Sequence, residues 1–232
     1  MKPKIIPNSV TGDLIQKVRN RQEQFPELRK SHHFVYDLAF KPSEITKYLL
    51  IGASPGRDDL DWAKTGNFHD EETRDRDFQA IFGRSKGSQK RLNKIQSFFG
   101  GLTYRHMSQS QSFFWCSPNT GKGFEARYGY KFKGNPHELF CAQMNMELIA
   151  RLELTAVFVE GHQNIDALKR AGKCEFRYQL ESQNGNVFFK EWRLENETPC
   201  FSFTHLSALG NHIKDRPELS KLILEKVTAL GT

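Results

Sequence analysis

Tyr48-Leu49-Leu50-Ile51 is an uninterrupted apolar run that stops at Gly52-Ala53-Ser54-Pro55-Gly56. A run that is apolar at successive positions reads as a strand buried on both faces, as in a parallel sheet. Two glycines and a proline directly after it make a tight loop at the strand's carboxyl end, where open α/β sheets bind ligands.

The remainder of the chain alternates in the way such a strand requires. Thr11-Gly12-Asp13 can cap a helix with Leu14, Ile15 and Val18 on one side, and Pro26 interrupts it. Residues 77–99 read as helical, with a break at Gly83–Gly87 and an end at Gly100-Gly101. Ser110–Cys116 reads as a second strand, stopped by Ser117-Pro118-Asn119. A helix over His137–Leu152 leads to a third strand, Leu154–Val159, which ends at Glu160-Gly161. A short helix, Asn164–Ala171, follows. Phe176–Leu194 contains Asn184-Gly185-Asn186 and reads as a hairpin insertion. Pro199–Phe203 is the fourth strand, and Glu218–Leu230 the last helix. The pattern predicts an α/β fold, a three-layer α/β/α sandwich around a four-stranded, mainly parallel sheet. A single domain over 1–232 is expected, with residues 1–46 as an N-terminal helical extension.

Two readings stay open for residues 122–136, where Lys122, Arg127, Lys131 and Lys133 interleave with Phe124, Tyr128, Tyr130 and Phe132. Such a segment suits phosphate contacts and base stacking, or it is a loop whose rings pack on the core. The net charge of +7 favours a polyanionic partner. Cys116, Cys141, Cys174 and Cys200 are too widely spaced for a zinc or iron–sulphur site and read as buried free thiols. His32-His33 lacks a third metal ligand at sensible spacing, so no metal and no cofactor is expected. The chain has neither a long apolar segment nor the apolar core of a signal peptide, so a location in the cytoplasm or nucleoid, away from membranes, is expected.

Several of these motifs, taken in order, resemble the uracil-DNA glycosylase superfamily. Gly52-Ala53-Ser54-Pro55-Gly56 is similar to its first motif, and His205-Leu206-Ser207-Ala208-Leu209 to its second, usually His-Pro-Ser and a loop. Thr65-Gly66-Asn67-Phe68 is similar to the Thr-Gly-x-x-Phe segment of the single-strand-selective and mismatch-specific branches, one residue shorter here. Val157–His162 is similar to the third strand and its turn.

The resemblance implies a monomeric hydrolase that flips uracil or a related deaminated base out of DNA, uracil-containing or mismatched, and cleaves its N-glycosidic bond with water. Ser54 and His205 would be catalytic, His205 by stabilising the departing base. Gly52, Ala53, Pro55 and Gly56 would approach the nucleotide, Phe68 would stack on the base, and Asn119 or Ser117 would read its edge. Ser207, Leu209, Lys122 and Arg127 would hold the DNA, with Leu209 as the inserted wedge. Ser54 stands where the family usually has Asp or Asn, and Leu206 where it has proline. A serine can orient water but is a poor general base, so either activity would be slow or Asp58, Asp59 or Asp61 would substitute. Two other readings remain: a non-catalytic relative that binds nucleic acid or a free base, and an α/β hydrolase pairing Ser54 or Ser207 with His205 or His162.

Overall fold

The computed structural model describes residues 12–31, 46–54, 107–117, 120–181 and 185–204, together with Lys221, Glu225, Lys226 and Ala229. The strands are β1 (Tyr48–Gly52), β2 (Met107–Gln111), β3 (Ala156–Glu160), β4 (Cys174–Glu181), β5 (Val187–Leu194) and β6 (Pro199–Phe203). The helices are α1 (Gly12–Gln24), α2 (Lys122–Tyr128), α3 (Glu138–Arg151) and α4 (His162–Ala171). The protein is α/β, and its described strands form one mixed sheet in the order β2-β1-β3-β6-β5-β4.

That sheet corrects the sequence expectation of four strands. The four expected strands are all there, and β2, β1, β3 and β6 run parallel. The supposed hairpin insertion is not separate from them: β5 pairs antiparallel with β6, and β4 with β5. Burial explains why. Phe189 stacks on Phe201 at 5.4 Å, and the Trp192 indole N–H donates to the Ser202 hydroxyl at 3.0 Å, so β5 is bound to its neighbour through both faces. β4 is the exposed edge, which blurs the alternation of the whole segment.

The second strand also lies earlier than Ser110–Cys116. The most apolar part, Phe113–Cys116, has left the ladder and is buried in the core, although Ser112 and Phe113 still donate to the Gly52 and Ala53 carbonyls at 2.8 and 2.9 Å. The strand itself is polar because its inward hydroxyls have partners. Ser108 meets Thr46 at 2.7 Å, and Ser110 donates to Asn145 on α3.

Apolar residues divide by register between the two faces of the sheet. Leu49, Ile51, Val157, Val159 and Cys200 join the core formed with α1, α2, α3 and α4. Tyr48, Leu50, Phe158 and Phe201 point the other way; Leu50, Phe158 and Phe201 are equally buried, and Phe158 packs between Tyr48 and Phe201. The rings of residues 122–136 belong to the first core: Phe113 makes edge contacts with Phe124 and Tyr128 at 4.8 and 5.0 Å. Of the two readings for that segment, the rings follow the packing one, while Lys122, Lys131 and Lys133 stay exposed. Cys116, Cys141 and Cys200 are buried and Cys174 half-buried, all as free thiols.

The N-terminal helix is part of this core. Leu14 and Val18 are fully buried, and His137 joins α1 to the start of α3. Its Nδ1 accepts from Arg21 Nε and its Nε2–H donates to Glu27, each at 3.2 Å, which fixes a neutral tautomer. Asn145, also buried, accepts from Ser110 and donates to the Gln111 carbonyl at 2.9 Å.

Two predictions follow from these buried groups. Asn145→Ala strands the Ser110 hydroxyl and the Gln111 carbonyl, and urea unfolding should register a loss of about 2–4 kcal/mol. Burial pushes His137 and His162 below the ordinary histidine value of 6.5. The unfolded chain then takes up protons that the folded chain refuses, so stability is complete above 6.5 and falls as the pH drops below it. A urea midpoint that stays constant from about pH 7 to about pH 5 would contradict this.

Candidate functional site at the carboxyl edge of the sheet

β1 pairs in parallel with both β2 and β3, so the chain leaves β1 towards one side of the sheet and returns on the other. In open α/β sheets ligands are held at such a reversal, beyond the carboxyl ends of the strands that flank it, here β1 and β3. The loop Gly52-Ala53-Ser54 begins there, with Ala53 and Ser54 half-buried.

The register sets one row of residues across this edge, all on the same face. Gly52 is opposite Gln111, and Glu160 is opposite Phe203. Ile51 pairs with Val159, so the next step of that register brings Gly52 against Glu160. The row therefore runs Gln111, Gly52, Glu160, Phe203: an amide, a bare backbone, a carboxylate and a phenyl ring.

Gly52 has a steric reason to lack a side chain. A Cβ there would lie 2.5 Å from Gln111 Oε1, because the Gln111 amide folds over the glycine. Gln111 is 8% exposed, and its Oε1 has no hydrogen-bond partner. A buried carbonyl in that condition is destabilising until a donor reaches it. Glu160 is 3% exposed and its main chain is held firmly. Its carbonyl accepts from Asn164 Nδ2 at 2.6 Å, and the next residue, Gly161, donates to the Phe203 carbonyl at 2.7 Å with φ of +89°. That left-handed φ is why a glycine ends β3. Thr204, just after β6, adds a second buried oxygen without a partner.

His162 lies at the start of α4 and is committed elsewhere. Ser202 donates to its Nδ1 at 3.1 Å, and its Nε2–H donates to the Val187 carbonyl at 3.2 Å. Ser202 in turn accepts from Trp192, so every group in the chain of hydrogen bonds is satisfied. Burial chiefly, and then Lys190, lowers the affinity of His162 for a proton. With both nitrogens engaged, His162 does not serve Ser54, which removes that pairing from the hydrolase reading.

The remaining expected site residues fall into three groups. Gly52, Ala53 and Ser54 are at the edge as expected. Ser117 is fully buried beyond β2, next to Cys116, whose N–H is held by Ser31 at 2.8 Å. Lys122 is exposed on α2, whereas Arg127 and Lys30 bind each other's carbonyls, which fastens α2 to the turn after α1. Pro55, Gly56, Phe68, Asn119, His205, Ser207 and Leu209 lie outside the described residues, as do Asp58, Asp59 and Asp61.

Sequence reasoning missed Gln111 and Glu160. Its third strand stopped at Val159, one residue short, so Glu160 was never assigned to a face. Its second strand contained Gln111 but did not end there. The available signal was the same in each: a long polar side chain directly before a turn residue at a strand's end.

Among the described residues no cluster of His, Cys, Asp and Glu could hold a metal, and no helix is long and apolar enough to cross a membrane. Neither a scan against protein-family models nor a search of curated proteins finds a match for the chain.

Gly52→Ala tests the row. The added methyl displaces the Gln111 amide, whose free end can yield, so the unfolding free energy should fall by only about 1 kcal/mol. A loss several times larger, read by urea denaturation, would mean that the amide is locked in place.

Proposed function

We propose that the protein is a DNA glycosylase that hydrolyses the N-glycosidic bond of uracil or a related deaminated base. The observation that carries this reading is Gln111: a buried amide oxygen without a partner, laid over a glycine at the carboxyl edge of a parallel sheet. An amide offers one acceptor and two donors, the complement of the imide edge of uracil, which presents an N–H flanked by carbonyls. The Gly52–Ser54 backbone lets a nucleotide come close, and the net charge of +7 suits a phosphate backbone. Burial on both faces supports the finer view of the sheet as the middle layer of an α/β/α sandwich.

In this reading the flipped base stacks on Phe68, and Gln111 takes the edge-reading part that Asn119 or Ser117 had in the sequence expectation. His205 stabilises the negative charge that develops on the departing base. Ser54 orients water, and Ser207, Leu209 and Lys122 hold the DNA. The protein acts as a cytoplasmic monomer and needs no cofactor.

Ser54 favours one other reading, a relative that binds nucleic acid without cleaving it, because the first loop has no carboxylate at that position. One assay separates the two. Incubated in excess with single- and double-stranded oligonucleotides containing uracil, the wild-type protein should release the base. Gln111→Ala should slow release by about 10²–10³-fold, and His205→Ala should do at least as much. Salt-sensitive binding with no release from either substrate would leave only the binding reading.

A further inference from the structure

We propose that Glu160 is the base that activates the attacking water, supplying from the third strand the carboxylate that the first loop lacks. This inference rests on the glycosylase reading and assigns to that site a residue outside its expected catalytic set. Hydrolysis requires a proton to leave water as its oxygen attacks, and the hydroxyl of Ser54 is a poor acceptor for it. Among the described residues at the carboxyl edge, Glu160 is the carboxylate, 3% exposed and at the end of β3.

The row gives it the right placement. Adjacent strands lie about 4.8 Å apart, so Glu160 is one strand from Gly52 and two from Gln111 on the same face. A nucleotide whose base edge meets Gln111 and whose sugar lies over Gly52 has Glu160 beyond it, with no side chain from β1 between them. Asn164 fixes the Glu160 carbonyl, and Gly161 ties the next residue to β6, so the acid projects from a rigid main chain rather than from a loop.

The step balances with water as the only co-reactant. A water O–H bond breaks and its proton goes to a Glu160 oxygen. The water oxygen bonds to C1′ of the sugar, and the C1′–N bond breaks with its electron pair on the base. The proton then passes from Glu160 to the released base, which restores the carboxylate and leaves an abasic sugar.

The test is single-turnover release from a uracil-containing oligonucleotide by Glu160→Gln, an isosteric change. Release should fall by about 10²–10⁴-fold, with oligonucleotide binding and cooperative urea unfolding preserved. Release at the wild-type rate overturns the assignment while leaving the glycosylase reading intact. A wild-type protein that releases no base overturns both. If Glu160→Gln does not unfold cooperatively, Glu160→Ala decides: added formate should restore its release of the base, and a rate that formate leaves unchanged overturns the assignment.

Discussion

The parallel pairing of β1 between β2 and β3 is the constraint from which the other features of this protein follow. It demands that both faces of β1 be buried: Leu49 and Ile51 join the core on one side, and Leu50 is buried on the other. It also brings the carboxyl ends of the strands to one edge, where backbone groups run out of ladder partners. The register then leaves no freedom about which residues meet there. A one-residue slip of β3 would turn Glu160 to the other face and bring Val159 into the row.

The polar groups beneath that edge differ from those on it. His137 is satisfied by Arg21 and Glu27, His162 by Ser202 and Val187, and Asn145 by Ser110 and the Gln111 carbonyl. These networks join α1, α3 and α4 to the sheet and keep both histidines neutral. Gln111 has its main chain fastened in the same way, yet its side-chain oxygen is left without a partner. Two other unpartnered atoms, Trp115 Nε1 and the Tyr130 hydroxyl, belong to the aromatic cluster around His137. A firm main chain beneath an unsatisfied amide is the arrangement expected of a group that waits for a ligand.

Much of the fold was legible because burial on two faces writes itself into sequence as continuous apolar runs. Tyr48–Ile51 and Pro199–Phe203 were placed almost to the residue. β2 was misplaced because it is an edge strand whose inward positions are serines with buried partners, so its apolar neighbours Phe113–Cys116 drew the assignment away. The hairpin was recognised from Asn184-Gly185, but its membership of the sheet depended on contacts between Phe189, Trp192 and β6 that no local pattern encodes. Half of the candidate site, the Gly52–Ser54 loop, could be read directly. Gln111 and Glu160 could not, since their proximity arises from register across three strands far apart in the chain.

In the proposed site the Gln111 amide receives the edge of a nucleobase whose sugar lies over Gly52. The most direct measurement is a nitrogen–proton NMR titration of the labelled protein with a short uracil-containing oligonucleotide. The Gln111 side-chain NH₂ and the Gly52 and Gly161 amides should shift together and saturate at one ligand concentration. Saturable shifts elsewhere, with those three signals unmoved, would contradict the account.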